Sequence, residues 1–326
     1  MSAVSAADAV DPDQLERYRH ELTGYCYRML GSAHDAEDAV QDTMVRAWRG
    51  LATFEDRSGL RPWLYRIATN VCLDALKGRT RRALPVDVAP AASGELRLAS
   101  PRPGTAWVQP IPDGLLMPAD RDPAELTVSR ESVRLAFIAA LQHLVPRQRA
   151  VLILRDVLRW RAAEVAALLE TSADAVNSTL RRARAALAAA DRDGAPAEPS
   201  DTDRDVLARY VDAFERFDVE ALVALLRDDA TLDMPPFELW LRGRDDIRRW
   251  LLAADECRND RFVPIGANLS PAAAVYKPGA PGETPEPFAI HVLDVAGGRI
   301  TAIHAFLDPT LFELFGLPAE PGACRI

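Results

Sequence analysis

Residues 168–187 read LLETSADAVNSTLRRARAAL, two short helical patterns on either side of a polar break. Val176, Leu180 and Leu187 recur on one face of the second pattern, the spacing of an amphipathic helix. Ser172 stands where a hydroxyl caps the first free amides of that helix. The remaining face carries Asn177, Ser178, Arg181, Arg182 and Arg184, with Asp174 in the first turn. Helices are predicted over 161–170 and 173–189, joined as a helix–turn–helix. The second helix of such a pair lies in the major groove, where Asn pairs with adenine and Arg with guanine. A solvated basic helix pair is the bland alternative.

The formal charge of −9 opposes a DNA reader until it is located along the chain. Residues 201–326 hold 13 Lys and Arg against 22 Asp and Glu, and residues 1–200 hold 26 of each. The acidity therefore belongs to the C-terminal third. Within the neutral part, 61–82 carries Arg61, Arg66, Lys77, Arg79, Arg81 and Arg82 against Asp74 alone. That is the footprint of a phosphate-contacting surface.

A chain of 326 residues suits two or three domains. No apolar run approaches the roughly 18 residues that a bilayer span needs, and the start lacks the basic-then-apolar pattern of a signal peptide. Cys26, Cys72, Cys257 and Cys324 are scattered without C-x-x-C spacing. Reduced thiols in a cytoplasm are the simplest expectation. The scattered cysteines and histidines predict no metal, and no cofactor is expected.

Two stretches read as linkers. Residues 85–123 contain eight prolines and no periodicity, which predicts an extended chain without helix. DRDGAPAEPSD at 191–201 is short and rich in breakers. They leave segments 14–84, 128–190 and 202–318. In the first, Val40, Met44, Ala47 and Trp48 share an apolar face, with Asp35 as a candidate N-cap. Its opposite face shows Asp38, Gln41, Asp42 and Arg46. In RPWLYRIATNVCLDALKGRTRR at 61–82, Leu64, Ile67, Val71 and Leu76 point inward. Arg66, Asn70, Asp74, Lys77 and Arg81 form a polar stripe, Pro62 suits the first turn and Gly78 ends the helix. With nearby aromatics the stripe would grip a nucleic acid strand, although Trp48 and Trp63 read better as core.

The second segment predicts further helices over 130–143 and 147–157, broken at Val145-Pro146. The third predicts helices over 203–216, 219–227 and 244–255. Strands follow over 229–234, 261–268, 272–277, 287–295 and 299–307, and Gly297-Gly298 marks a hairpin. Helices first and an antiparallel sheet afterwards is α+β.

Taken in order, these motifs resemble an extracytoplasmic-function sigma factor of the sigma-70 family. DAEDAVQDTMVRAW resembles the region 2 helix that docks on the polymerase clamp, and RPWLYRIATNVCLDALKGRTRR the part that opens and reads the −10 element. LVPRQRAVLILRDVL with the helix–turn–helix resembles region 4, the −35 reader. The resemblance implies that Asp35, Asp38, Gln41, Asp42 and Arg46 face polymerase. It places Asp56, Arg57, Arg66, Asn70, Lys77 and Arg81 at the −10 element, and Ser172, Asp174, Asn177, Ser178, Arg181, Arg182 and Arg184 at the −35 element. Asp56 and Arg57 lie in FEDRSG at 54–59, the position of the family's loop for a flipped base, without its usual aromatic-Arg-Gly-Glu form.

The C-terminal third resembles a SnoaL-like domain of the nuclear-transport-factor-2-like superfamily, a cone with an open mouth. WVQPIPDGLL at 107–116, AGGR at 296–299 and DPTLF at 308–312 loosely resemble the linker and C-terminal signatures of sigma factors that carry one. The expected architecture is therefore multidomain. Two all-α sigma domains come first, a region 2 helical bundle over 14–84 and a region 4 helix–turn–helix over 128–190. A Pro-rich linker over 85–127 joins them, and an α+β cone-shaped SnoaL-like domain follows over 202–318. The implied function is promoter recognition and transcription initiation with core RNA polymerase, through its clamp and flap, with no membrane and no catalysis. The cone would regulate this by touching the sigma regions or their linker. Trp107, Asp233, Trp240, His291 and Asp308 are the candidates for a cone pocket or interdomain contact. A His–Asp pair, from Asp233, His291, His304 and Asp308, would suit acid–base chemistry, and which of His291 and Val292 points inward stays open. The rivals are a DNA-binding regulator acting without polymerase and a bifunctional protein with a catalytic or ligand-binding cone.

Overall fold

The computed structural model describes residues 12–51, 54, 59–92, 100–117, 132–190, 201–254, 257–279 and 284–319. The described helices begin with α1 (Pro12–Glu16), α2 (Arg19–Leu30), α3 (Ala33–Gly50) and α4 (Leu60–Ala75). Next come α5 (Asp113–Leu116), α6 (Leu135–Gln142), α7 (Pro146–Leu152), α8 (Ala162–Leu168) and α9 (Ala173–Ala190). The C-terminal part adds α10 (Asp201–Glu215), α11 (Val219–Leu225), α12 (Arg244–Ala253) and α13 (Leu311–Leu314). Its strands are β1 (Leu226–Asp233), β2 (Trp240–Arg242), β3 (Arg261–Ala267), β4 (Ser270–Lys277), β5 (Glu286–Ala296) and β6 (Arg299–Phe306). The chain forms two compact units. One comprises Met1–Arg81, Leu115–Arg121 and Ala140–Arg192, and the other Arg82–Gly114, Asp122–Ala139 and Asp193–Ile326.

In the first unit α2, α3 and α4 bury an apolar stripe each, with Leu22, Tyr25, Met29, Ala36, Val40, Leu64 and Tyr65 nearly inaccessible. The Tyr25 hydroxyl finds Thr69 Oγ1 at 2.8 Å, so the buried ring keeps a polar partner. The N-cap of α3 is Ser32, not Asp35: the Ser32 hydroxyl accepts from the Asp35 amide at 3.2 Å. Asp35 sits inside the first turn, where its charge suits the helix dipole, and pairs with Arg79 at 2.8 Å. Trp48, expected in the core, is 62% exposed. Val40, Met44 and Ala47 already fill that face, and a residue one step beyond Ala47 turns 100° away. Trp63 is half-buried against Phe54, with ring centroids 4.7 Å apart.

α4 stops at Ala75, and Gly78 follows with φ +72, the left-handed conformation that ends helices. Lys77 and Arg81 therefore lie past the helix end. The predicted helix over 147–157 is a short α-helix that loosens into a single π turn at Ile153–Val157. α9 opens as expected, with the Ser172 hydroxyl accepting from the Ala175 amide at 3.1 Å. The start of the predicted helix at 130 and the 191–200 part of the second linker fall outside the described residues.

The second unit is built on one six-stranded sheet in the order β2-β1-β6-β5-β4-β3. Neighbours are antiparallel except β1 with β6. Gly297 and Gly298 take φ +60 and +71, the two left-handed residues of a tight hairpin between β5 and β6. α10, α11 and α12 cover one face with Tyr210, Phe214, Leu222, Ile247 and Leu251, packed onto Leu232, Val275, Leu293 and Ile303. β2 was not predicted, since three residues are too few for alternation to register.

The Pro-rich stretch is not the helix-free chain that the sequence suggested. Pro85–Asp87 and Gly104–Ala106 form 3-10 turns, and α5 follows Pro112. Proline breaks a helix interior but suits a first turn, and these elements are little more than first turns. Two points of this stretch also meet the sheet. The Ala92 amide donates to Trp240 O at 2.9 Å on edge strand β2, and Pro112 bridges Ala267 on edge strand β3. Both exposed edges thus gain backbone partners.

The β3–β4 turn, Asn268-Leu269, has φ +54 and +53. A left-handed Leu is strained, and Asp113 Oδ1 holds it by accepting from the Leu269 amide at 2.7 Å. Gly266 leaves room for that carboxylate: a Cβ there would lie 2.9 Å from Asp113 Cγ. Gly266→Ala is therefore expected to displace Asp113 and cost about 1–3 kcal/mol. Thermal unfolding of the full chain checks this, and an unchanged midpoint would remove the Asp113 brace from the account.

Candidate functional site

Three exposed faces of the first unit carry the residues singled out in the sequence. On α3, Asp38, Gln41 and Arg46 are exposed and Asp42 is half-buried, with Arg46 paired to Asp42 at 2.7 Å. Asp35 is turned toward Arg79. Val45 and Trp48 complete this face at 41% and 62% exposure. Asp38, Gln41, Val45 and Trp48 follow i, i+3, i+7, i+10, a spacing that would have placed Trp48 on the polar side. Tryptophan and arginine are enriched among the residues that carry most of the binding energy at interfaces.

On α4, Arg66 and Asn70 stand one turn apart and exposed. Lys77 pairs with Asp74 at 2.7 Å, and an Arg81 guanidinium nitrogen meets His143 Nδ1 at 2.7 Å. Asp56 and Arg57 lie outside the described residues. On α9, Asp174, Asn177, Arg181, Arg182 and Arg184 are exposed, and Ser178 is half-buried. They are not equivalent. Arg184 is held by Asp156 through two bonds of 2.7 and 2.8 Å, Arg182 reaches Thr179 at 3.3 Å, and the Ser172 hydroxyl is taken up as the cap. Asn177 and Arg181, four residues apart, have no side-chain partner among the described residues, so they present free donors on one face.

The cone candidates do not converge. Register puts Leu293 beside Ile303 on the helix-covered face, so Val292, His304, Asp294 and Asp233 point to the other. His291 lies on the helix-covered side, among Tyr210, Phe214 and Phe262, with its Nδ1 2.8 Å from the Tyr210 hydroxyl. Both neighbours of the open question, His291 and Val292, are buried, on opposite faces. Asp308 accepts from its own turn, from Thr310 N and Oγ1. Trp240 donates its indole N–H to Ala89 O at 2.8 Å, and the Trp107 backbone pairs with Ala83.

The far face holds a charged cluster that the sequence did not show. His304 Nδ1 lies 2.7 Å from Asp233 Oδ2, and His304 Nε2 lies 3.8 Å from Asp294 Oδ2. Asp294 also takes Arg134 at 2.9 Å. Burial opposes the charge of His304, but Asp233 and Asp294 outweigh it and hold its pKa up to about 10. Burial likewise opposes the Asp294 anion, and His304 with Arg134 keeps that carboxyl well below its usual range. His291, buried among rings and near Lys277, is pushed down to about 3. Among the described residues no group of His, Cys, Asp and Glu is arranged to hold a metal, and no helix is long and apolar enough to cross a membrane.

Comparison with known proteins decides the family. Sigma-70 region 2 matches residues 15–82, Sigma-70 region 4 matches 134–187, and a SnoaL-like domain matches 207–303. The ECF RNA polymerase sigma factor SigG of Mycobacterium tuberculosis is 49% identical over 316 residues, covering 93% of this chain and 82% of the relative. The chain belongs to the ECF RNA polymerase sigma factors. It carries the α+β SnoaL-like domain at its C-terminal end, so promoter binding and transcription initiation are its function. The sigma factor SigJ of the same organism is 27% identical, covering 93% of each chain. The crystal structure of SigJ superposes with a TM-score of 0.64 at 23% identity, over 95% of this chain and 100% of that one, and shows the same fold.

The two buried histidines set opposite pH limits on this sigma factor's second unit. His304 binds its proton more tightly when folded, so its contribution is full below 6.5 and fades as pH rises toward about 10. His291 is kept neutral, so its contribution is full above 6.5 and fades as pH falls toward about 3. Thermal unfolding followed against pH is expected to lose its alkaline limb in His304→Gln and its acid limb in His291→Phe. Unaltered limbs in both variants would contradict these assignments.

Proposed function

We propose that this sigma factor engages polymerase and promoter through the three helical faces described above, and that the cone sets how readily it does so. The assignment gives 14–84 to region 2, 85–127 to the linker, 128–190 to region 4 and 202–318 to the regulatory cone. Asp38, Gln41, Asp42, Arg46 and Trp48 meet the clamp of core RNA polymerase, with Asp35 positioned by Arg79, and region 4 meets the flap. Arg66 and Asn70, with Lys77 and Arg81 and the loop of Asp56 and Arg57, hold the displaced −10 strand. Asn177 and Arg181 read −35 base edges, and Asp174, Ser178, Arg182, Arg184 and the Ser172 cap border the same groove. The setting is the cytoplasm.

One observation carries the regulatory part: the sheet of the cone binds the connecting chain at several points by specific bonds. Asn268 takes Ile111 on both backbone atoms, at 2.9 and 3.0 Å, and donates its side-chain amide to Val133 O at 2.6 Å. Asp294 takes Arg134. Residue 111 lies in the linker and residues 133–134 stand at the start of region 4, ahead of its helix–turn–helix, so whatever loosens them alters the freedom of the −35 reader. The cone acts by holding chain, not by turnover. His304 stays protonated and His291 stays neutral through the physiological range, so neither exchanges a proton readily near pH 7.

Asn268→Ala combined with Arg134→Gln in the full chain is expected to change promoter output and affinity for core polymerase several-fold. Both quantities unchanged in a folded variant would sink the regulatory reading. Trp48→Ala is expected to weaken polymerase binding by about 2 kcal/mol, measured by titration with purified core enzyme. Asn177→Ala and Arg181→Ala are each expected to lower −35-dependent transcription by about 1–3 kcal/mol. Wild-type output that is equal on matched and scrambled −35 sequences would refute that assignment.

A further inference from the structure

The exposed polar side chains of α9 differ in what already holds them. Asp156 takes Arg184, Thr179 takes Arg182, and the Ser172 hydroxyl is occupied by the cap. Asp174 joins Asn177 and Arg181 in having no side-chain partner among the described residues, and all three are exposed. At about 100° per residue, Asp174 and Arg181 point within about 20° of each other, and Asn177 within about 60° of Asp174. Val176, Leu180 and Ala183 are buried on the opposite face, at 1%, 5% and 0% exposure. The three free groups therefore form the outermost edge of the helix, the part that enters a groove first. Along the axis Asn177 stands about 4.5 Å and Arg181 about 10.5 Å beyond Asp174. With base pairs about 3.4 Å apart, the set spans about three of them.

An amide and a guanidinium on that edge suit DNA, whereas a carboxylate needs a reason. Asp174 opposes the approach of phosphates, so it subtracts from the attraction that a basic helix has for any duplex. What it can add is choice between bases. A carboxylate only accepts hydrogen bonds. In the major groove cytosine offers an amino donor, guanine two acceptors, and thymine an acceptor with a methyl group. Adenine offers its amino donor beside the N7 acceptor, which repels a second carboxylate oxygen. Cytosine alone satisfies such a group without a clash of lone pairs. Asp174 is the second residue of α9, and the first residues of a recognition helix are those that reach base edges. The same position favours an acidic residue through the helix dipole. That role is indifferent to DNA sequence, so the two are separable by measurement.

We infer that Asp174 is a specificity-determining residue of the −35 reader: its carboxylate accepts a hydrogen bond from the N4 amino group of one cytosine and rejects the other bases at that position. This rests on the assignment of α9 to the −35 element. Asn177 and Arg181 supply attraction to their own bases, and Asp174 supplies discrimination at the cost of general affinity.

The test pairs the full chain with purified core RNA polymerase and scores transcription from promoters randomised over the −35 element. The wild type is expected to require cytosine at one position, with output about tenfold lower for the other bases. Asp174→Asn is expected to move that preference to adenine, the partner of an amide, and to leave the other positions as they were. Asp174→Ala is expected to level the four bases at that position and to raise output from scrambled −35 sequences several-fold. Asn177→Ala is expected to relax a neighbouring position instead. A wild type that selects a −35 sequence without cytosine would overturn the inference alone. So would Asp174 variants that both keep the wild-type preference, or that both lose output equally at every position, the mark of a weakened helix. Wild-type output independent of the −35 sequence would remove the assignment of α9 and the inference with it.

Discussion

The buried side chain of Asn268 joins three pieces of chain that have no sequence proximity. Its backbone turns β3 into β4 in a left-handed conformation that asparagine tolerates better than most residues. Its amide and carbonyl oxygen take up Val133 O and Ile111 N, polar groups that would otherwise be buried without partners. The neighbouring strained Leu269 is steadied by Asp113 of the linker. Hairpin and linker therefore stabilise each other. A sheet edge that would invite pairing is closed by the protein's own connecting chain.

The two faces of that sheet solve burial differently. The helix-covered face is apolar and aromatic, and its single histidine stays neutral with a tyrosine hydroxyl as partner. The other face buries Asp233, His304 and Asp294, and Arg134 brings the cluster close to charge balance. Removing one member of such a set leaves an uncompensated buried charge, which costs more than the set contributes as a whole. Arg134 belongs to the chain leading into α6, so an electrostatic requirement of the sheet constrains where the next helix begins.

Much of this was legible in the residues. The 3.6-residue periods of 33–50 and 173–190 and the alternation around Gly297-Gly298 carry their elements plainly, because each buries one face only. Other features leave no local trace. Residues 82–92 and 100–114 show no periodicity, and Ala92 and Pro112 find their partners in the backbone of a sheet far along the chain. Trp48 reads as core because it shares an apolar face with Val40, Met44 and Ala47, yet it lies one step past Ala47 and turns outward. The Asp233–His304–Asp294–Arg134 cluster combines residues from four separate stretches, and no spacing announces it. Among the site residues, the sequence shows which side chains a face offers. Only the structure shows that Arg184 and Ser172 are already engaged while Asn177 and Arg181 are not.

The local placement of charge reconciles an acidic chain with DNA binding. The basic residues lie on α9 and along and just beyond α4, and the acidic excess lies in the sequence of the cone. On the proposed reading polymerase supplies much of the grip, so α4 and α9 need not bind duplex DNA unaided. Transcription from a promoter library with purified core RNA polymerase tests this most directly. Initiation that requires the full chain and selects a common −10 and −35 pair is the predicted result. Protection of DNA by the chain alone, with no initiation when polymerase is added, would contradict it.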